Sequence, residues 1–284
     1  MYKISIIMPV YNGEKYLNKL ISEIKLQHID IPIEIIAAVS KSKDNSLNIC
    51  KELCDIVYEV DNFQHGLTRH EAALKATGNI LVFITQDIMP ENVNWLNNLV
   101  KPLIEENNII ATYSRQIAYP EASETEKLIR NFNYPDYNRI ANKDTKGKWG
   151  RKTIFYSDSS SATLRKDFLE LGGYNFDLGT NEDVIYAINV VDSGKSILYN
   201  SQSIIYHSHD FKIKAAFNRY KLIGEFEKKY ETKIKAYDSA SEGKKLLIYL
   251  LRNLLKKFKI IEIVYLGVDL FTRYLGFKVG YLKK

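Results

Sequence analysis

The sequence predicts an α/β fold with a mostly parallel central sheet flanked by helices, followed by a C-terminal helical extension. Short runs of branched apolar residues, at residues 4–10, 33–39 and 80–84, alternate with segments of helical periodicity. Alternation of strands and helices implies right-handed crossovers between parallel strands. Leu- and Lys-rich helical segments dominate the end of the chain. We therefore expect an α/β domain over residues 1–211 and a helical, basic amphipathic region over residues 212–284.

The composition is that of an ordinary globular protein with a basic tail. Of its 284 residues, 45% are hydrophobic and 26% are charged, which is enough for a substantial core. The net charge of +6 is concentrated in residues 243–284, which hold ten Lys and Arg residues and two acidic residues. Charges interrupt the apolar runs there, so no membrane-spanning helix is expected. Met1 leads directly into a strand without a secretory signal, which predicts a cytoplasmic protein.

The other elements are predicted from periodicity and from turn residues. A third strand is expected at residues 56–60, and Asp44 or Asn45 is expected to cap a helix that runs through Cys54. Later predictions are a helix that includes Trp95 and Leu103, a strand at 109–113, helices at 164–171 and 182–191, and a strand at 196–206. Residues 119–152 show little periodicity, and an irregular insert of that length is usually functional or mobile.

The stretch over residues 79–90 contains the most informative strand. Its apolar run breaks into polar residues at Asp87 and ends at Pro90. Ligands of open α/β sheets bind at the carboxyl ends of the strands, where a carboxylate is suited to a divalent metal that holds a phosphate-bearing substrate. The alternative is that Asp87 caps a helix that begins near Glu91.

A set of short motifs follows in order along the chain. The motifs are SIIMPVYN at 5–12, HGLTR at 65–69, ATGNI at 76–80, TQDIMP at 85–90, GTNED at 179–183, YHSH at 206–209, RY at 219–220 and IG at 223–224. Together they resemble the family 2 inverting glycosyltransferases, which have the GT-A fold. The resemblance covers about residues 3–226, and its middle motifs look like the rhamnosyltransferase branch of the family.

The resemblance implies transfer of a sugar from a nucleotide-diphosphate donor to a glycan or lipid-linked acceptor. The expected sugar is L-rhamnose or another hexose, and the expected process is bacterial-type cell-surface polysaccharide synthesis. Two alternatives stay open: a UDP-hexose or UDP-N-acetylhexosamine transferase, and a catalytically silent subunit that binds sugar nucleotides or glycans. The silent subunit is suggested by Thr85 and Val39, which stand where relatives commonly have acidic residues.

The resemblance also implies the catalytic and metal-binding residues. Asp183 is expected to take the proton of the acceptor hydroxyl, and Glu182 to orient its neighbours or contact the acceptor. The alternative is that both acids only stabilise the first turn of a helix. Mn²⁺ or Mg²⁺ is expected at Asp87, with His207 or His209 completing the coordination; either His is otherwise a surface or core residue.

Donor binding is expected at the carboxyl ends of the first strands and in the loops beside them. Arg69 is either a structural or nucleotide-contacting cation or part of a solvated helix face. The polar run at residues 157–161 either lines the acceptor side or forms a simple loop. The complete set of expected donor-binding residues is Pro9, Val10, Tyr11, Asn12, Ser40, Asp44, Gly66, Arg69, Gln86 and Asp87.

The tail contains a basic amphipathic helix with a broad apolar stripe. Such a helix is suited to the surface of an anionic membrane, so peripheral association with the inner face of the membrane is expected. The alternative is packing on the enzyme domain or on a second subunit, and a homo-oligomer stays open. Nucleic acid is not expected, since the basic residues do not interleave with a stacking platform. The stripe consists of Leu246, Leu247, Leu250, Leu251, Leu254, Leu255 and Phe258.

Overall fold

The computed structural model describes residues 1–176, 179–208, 212–237 and 241–283. The chain forms two compact units. The first comprises Met1–Arg115, Asp136–Leu178 and Glu182–Tyr206, and the second comprises Gln116–Pro135, Gly179–Asn181 and His207–Lys284. The expected domain boundary between residues 211 and 212 falls beside the undescribed segment 209–211 and stays a prediction.

A nine-stranded sheet forms the framework, with β7 on β9 and the other strands in the order β3-β2-β1-β4-β8-β6-β9-β5. The buried run of β4 lies at its centre, and none of its five residues is exposed. The strands are β1 Ile4–Val10, β2 Ile33–Ser40, β3 Ile56–Val60, β4 Ile80–Ile84, β5 Met89–Pro90, β6 Ile109–Ile117, β7 Arg139–Ala141, β8 Ser160–Leu164 and β9 Ser196–Tyr206.

The parallel pairing expected for most of the sheet joins β3, β2, β1 and β4. β8 is antiparallel to both β4 and β6, and β9 is antiparallel to β5 and β7. The sheet is therefore mixed. Apolar runs did not reveal this difference because a strand buried on both faces has the same pattern in either direction.

Helices separate the strands of the first unit much as predicted. In α1 the residues at helical spacing, Leu17, Leu20, Ile21 and Ile24, are all buried. Gly172 and Gly173 end α7 with φ values of +86° and +52°, a conformation that glycine adopts readily. The helices are α1 Glu14–Lys25, α2 Ser46–Leu53, α3 His65–Lys75, α4 Trp95–Glu105, α6 Lys146–Trp149, α7 Arg165–Glu170 and α8 Glu182–Asp192, with a 3₁₀ turn at Gly150–Ile154.

The region predicted to be irregular, residues 119–152, contains regular structure. Besides β7 and α6 it holds the helix α5, Glu124–Asn133, which begins where Ser123 Oγ accepts a hydrogen bond from the Glu126 backbone N–H at 3.2 Å. Leu128 is the one residue of α5 that is fully buried. The helix has three apolar residues at helical spacing, Leu128, Ile129 and Phe132, but the Asn-, Tyr- and Asp-rich sequence around them was interpreted as irregular.

The second unit consists mainly of helices. A small core joins Leu128 of α5 to Leu250, Leu254 and Leu266. No helix in the described part of the chain is long and apolar enough to cross a membrane. The remaining helices are α9 Ile213–Lys229, α10 Glu231–Lys235, α11 Ser241–Lys256 and α12 Ile260–Leu282.

Candidate active site

The expected donor-binding residues follow adjacent parallel strands. Pro9 pairs with Ala38 and Val10 with Val39, and β1 also lies parallel to β4. The carboxyl ends of these strands therefore meet at one edge of the sheet, where Tyr11, Ser40 and residues 85–87 follow. This edge is the usual ligand-binding position in open α/β sheets.

Asn12 and Asp44 hold the loops at this edge together. The Asn12 backbone N–H donates to Ser42 Oγ at 3.0 Å, and its side-chain oxygen accepts from the Lys43 N–H at 2.9 Å. Asn12 has a φ of +46°, which Asn tolerates better than most residues. A hydrogen bond from Ser46 Oγ lowers the pKa of Asp44, which also accepts from the Glu14 N–H at 3.0 Å. Both side chains thus shape the site through contacts within the protein.

Gln86 joins the turn after β4 to the loop after β1. Its side-chain oxygen accepts from the Tyr11 N–H at 2.9 Å, and its side-chain N–H donates to the Tyr11 oxygen at 2.8 Å. The Tyr11 ring remains 58% exposed. Ser40 Oγ and Thr85 Oγ1 are buried without a hydrogen-bond partner among the residues that the structure describes. Tyr11, Ser40 and Thr85 therefore have capacity for a ligand at this edge.

Asp87 lies half-buried in the turn after β4. The helix expected near Glu91 begins at Trp95, with Asn94 before it, so the interpretation of Asp87 as a helix cap is wrong. Within the described ranges, no group of three or more His, Cys, Asp or Glu residues is placed to hold a metal. Mg²⁺ is commonly bound by one or two carboxylates together with substrate phosphates, and this donor set fits a metal that arrives with a diphosphate.

The structure describes only one of the two histidines expected at the metal site. His207 belongs to the second unit and is buried there, with Nδ1 2.8 Å from Gln116 Oε1. His209 lies outside the described residues. A metal site formed by Asp87 with either histidine stays a prediction.

A cluster of three acids and one arginine lies where α8 begins. Glu182 and Arg69 are buried, and Asp158 and Asp183 are half-buried. Glu182 and Asp183 form the first turn of α8. Arg69 on α3 is buried, so the solvated-face interpretation is wrong; its Nε lies 3.0 Å from Asp158 Oδ2 and its Nη1 lies 3.8 Å from Glu182 Oε1. Its Nη1 also donates to the His65 oxygen at 3.0 Å. The guanidinium is thus held against acids and backbone.

The proton affinities of both acids on α8 are raised. Burial, and then the charge of Asp158, raise the pKa of Glu182 to about 7, although Arg69 opposes the shift. Burial, Asp158 and Glu182 raise the pKa of Asp183 well above its ordinary value. A carboxylate with a raised pKa is a stronger base, and such perturbed acids are typical of active sites.

Aromatic side chains form the surroundings that desolvate this cluster. Tyr174 and Tyr186 are buried with ring centroids 5.7 Å apart, and Tyr156 lies 5.8 Å from Tyr186. The Tyr174 hydroxyl is buried and has no hydrogen-bond partner in the part of the chain that the structure describes. The charges of Asp158, Asp183 and Glu182 each raise its pKa, in addition to burial.

Gly66, expected at the donor, lies against the acid cluster. A Cβ atom at Gly66 would lie 2.9 Å from the Tyr174 backbone oxygen and 3.1 Å from Glu182 Cβ. Both distances are shorter than ordinary van der Waals contact, so glycine allows α3 to approach the beginning of α8. Its observed role is to position Arg69 and Glu182.

Sequence reasoning did not single out Asp158 or Tyr174. Asp158 lies inside the polar run at residues 157–161 that was assigned to either the acceptor side or a loop. That run was the available signal, but only the fold shows that Asp158 meets Arg69. Tyr174 follows the Gly172-Gly173 turn and had no polar neighbour in sequence that indicated a site.

Comparison with known proteins identifies the family. The sequence model "Glycosyl transferase family 2" matches residues 5–172. The O-antigen chain rhamnosyltransferase RfbN of Salmonella typhimurium is 31% identical over 222 residues, which cover 77% of this chain and 70% of the relative. WbaN of Salmonella anatum, also described as an O-antigen chain rhamnosyltransferase, is 31% identical over 78% of this chain and 70% of the relative. The chain belongs to glycosyltransferase family 2.

Solved structures agree on the fold. The mannosyltransferase PcManGT from Pyrobaculum calidifontis, solved with GDP-Man and Mn²⁺, has a TM-score of 0.66 at 15% identity, over 99% of this chain and 87% of that one. TarS 1–349 of S. aureus, solved with UDP-GlcNAc, has a TM-score of 0.58 at 17% identity, over 89% of this chain and 72% of that one. The GT-A fold with a helical C-terminal extension is confirmed.

Proposed function

We propose that this protein transfers L-rhamnose or another hexose from a nucleotide-diphosphate donor to a glycan or lipid-linked acceptor in cell-surface polysaccharide synthesis. The pair of buried Glu182 and half-buried Asp183, with raised proton affinities and the Arg69–Asp158 ion pair beside it, carries the proposal of catalysis. The O-antigen rhamnosyltransferases to which the chain is similar support the choice of sugar and process.

The proposed reaction is a single displacement that inverts the anomeric carbon. Asp183 takes the proton of the acceptor hydroxyl as the oxygen forms a bond to the anomeric carbon. The bond from that carbon to the diphosphate breaks, and the electron pair leaves with the nucleoside diphosphate. Asp158 and Glu182 keep the proton affinity of Asp183 high through their negative charges. Arg69 holds the acids in place.

A divalent ion, Mn²⁺ or Mg²⁺, fits the donor side of the proposed site. Asp87 would hold it together with the donor's phosphates, and His207 and His209 stay candidates for further ligands. When bound, the ion neutralises negative charge on the leaving diphosphate. At the same edge, Tyr11, Ser40 and Thr85 are proposed to bind the nucleotide, and Asn12, Asp44 and Gln86 to maintain the loops.

The donor class is tested by measuring product formation. The full-length protein is incubated with nucleotide-diphosphate-L-rhamnose, UDP-hexoses or UDP-N-acetylhexosamines, together with lipid-linked glycan extracted from producing cells, and the released nucleoside diphosphate is quantified. We expect turnover with the rhamnose donor and little with the UDP-sugars. Turnover only with UDP-sugars would replace the rhamnose assignment, and donor binding without turnover would identify the silent subunit.

Asp87→Asn is expected to weaken binding of a nucleoside diphosphate at least about tenfold in the presence of Mn²⁺, because a carboxylate ligand becomes a neutral amide. Titration calorimetry with and without the metal measures the effect. Glu91→Gln, at an exposed position beyond the turn, is the matched control and should bind as the original protein does. An equal loss in the absence of metal would contradict the assignment of Asp87 as a metal ligand.

The second unit is proposed to bring the enzyme to an anionic membrane surface at the inner face of the membrane. Its last residues, 243–284, carry ten basic and two acidic residues. A lipid-linked acceptor would also reside at such a surface. Each basic residue near an anionic leaflet contributes about 1 kcal/mol, so the concentrated charge supports this location.

A further inference from the structure

The leucine stripe predicted on α11 packs largely inside the second unit. Leu250 and Leu254 are buried in the small core with Leu128 and Leu266. Leu246 and Leu251 pack against that core as partly buried residues. Packing within the protein, the alternative weighed for this stripe, is therefore correct for its centre. Other residues must form any continuous apolar surface.

Such a surface lies on the next helix, α12. Its residues recur at helical spacing and are all exposed, from Ile261 at 73% to Leu282 at 72%. At 1.5 Å per residue the helix is about 35 Å long, so the apolar row is far longer than scattered exposed residues would form. The outer face of α12 comprises Ile261, Val264, Tyr265, Val268, Phe271, Leu275, Val279 and Leu282.

The opposite face of α12 is fixed against α9, so the outer face does not turn inward. A Cβ at Gly276 would lie 2.4 Å from the Phe217 oxygen, and one at Gly280 would overlap the Lys221 oxygen. Arg273 Nη1 donates to the Tyr220 hydroxyl at 3.1 Å. The close contacts of the two glycines and the directional hydrogen bond of Arg273 together fix the rotation of α12 about its own axis.

The charges beside the outer face are basic. Phe258, 87% exposed in the turn between α11 and α12, lies between Lys256 and Lys259, which are exposed. The two acids of α12 are engaged within the unit. Glu262 accepts from the Thr125 N–H and hydroxyl, each at 2.8 Å, and Asp269 lies 2.6 Å from Arg273. The free charge around the apolar row is positive.

We propose that the outer face of α12, with Phe258 and its two flanking lysines, lies in the headgroup region of an anionic membrane. This rests on the membrane association proposed above and places it on α12 instead of α11. An apolar row with basic residues at its margin is the pattern of an interfacial helix. A second copy would leave these exposed lysines without an anionic partner, whereas anionic headgroups neutralise them.

Vesicle flotation of matched variants tests this assignment. The full-length protein is mixed with vesicles of phosphatidylglycerol and phosphatidylethanolamine, or of phosphatidylcholine. Ile261→Gln/Val264→Gln/Phe271→Gln removes apolar side chains from the outer face of α12. The matched control, Leu247→Gln/Ile248→Gln/Leu255→Gln, makes the same change at exposed positions of α11. All six positions are exposed, and circular dichroism melts check that both variants remain folded.

We expect the α12 variant to bind anionic vesicles at least about tenfold more weakly, and the α11 variant to change less than about threefold. Lys256→Gln/Lys259→Gln should weaken binding about fivefold per residue on anionic vesicles and leave phosphatidylcholine binding unchanged. A greater loss in the α11 variant, or no loss in either, overturns the proposal. So does a change from dimer to monomer in the α12 variant without vesicles, since a second copy would then cover this face.

Vesicle binding requires neither donor nor acceptor. A failure of sugar transfer in the donor experiment therefore leaves the flotation result interpretable. Conversely, a protein that transfers sugar but does not float with vesicles would refute the surface assigned to α12 without affecting the catalytic proposal.

Discussion

Asp183→Asn is expected to lower the turnover number about 10²–10⁴-fold, because an amide cannot take the proton of the acceptor hydroxyl. The substitution keeps the size of the side chain and removes one of the three acids of the cluster. Donor binding should persist, so nucleoside diphosphate affinity is measured alongside turnover. Glu52→Gln, at an exposed position on α2, is the control for loss of an acid elsewhere. A variant that retains full turnover would exclude Asp183 as the base.

The pH dependence distinguishes a base from a merely structural acid. Burial, Asp158 and Glu182 raise the pKa of Asp183, so activity should rise with pH as the carboxyl loses its proton. Asp158→Asn removes a negative charge that raises this pKa, and the rising part of the profile should move to lower pH. A shift to higher pH, or none, would contradict the assigned role of Asp158.

Arg69→Met is expected to reduce the free energy of unfolding by about 3–5 kcal/mol, because it leaves buried acids without their cation. Chemical denaturation measures the change. Lys75→Met removes an exposed cation from the same helix, and it should cost no more than about 0.5 kcal/mol. Equal losses in the two variants would show that the Arg69 ion pairs contribute nothing.

The loss of unfolding free energy in Arg69→Met should depend on pH. The charge of Arg69 lowers the pKa of both Glu182 and Asp183, so its removal raises them further. A carboxyl with a folded-state pKa above its unfolded value favours folding at low pH and loses this contribution as pH rises. The variant should therefore recover stability between about pH 8 and pH 5 relative to the original protein. A pH-independent difference would indicate lost packing alone.

Strand positions were the most predictable part of the fold. The observed bounds of β1, β3, β4 and β9 match those predicted. β1, β3 and β4 consist mostly of branched apolar residues, and β9 has apolar residues on both sides of a polar centre. Strand direction was not predictable, because direction leaves no trace in a strand buried on both faces. The helix α5 was missed because its three apolar residues, Leu128, Ile129 and Phe132, are surrounded by polar sequence.

The acids proposed as catalytic, Glu182 and Asp183, were predicted only through the family motif at residues 179–183. Asp158 comes from a segment distant in sequence and meets Arg69 because α3 and the loop before β8 are brought together by folding. Most of the expected donor-binding residues lie at the carboxyl edge of the parallel strands, whereas Gly66 and Arg69 lie at the acid cluster. Their part in donor binding stays a prediction. Asn12 and Gln86 form hydrogen bonds with neighbouring loops, and a sequence motif cannot reveal such contacts.

The paired hydrogen bonds between Gln86 and the Tyr11 backbone have a mechanical consequence. Gln86 directly precedes Asp87, so these hydrogen bonds hold the loop with the exposed Tyr11 ring against the turn with the Asp87 carboxylate. If a nucleotide contacts Tyr11 at its base and Asp87 at its diphosphate, neither end can shift without moving the other. The distance between the two contacts is then fixed, and it sets the length of donor that the site can bind. Donors would be selected by length as well as by the chemistry of the base.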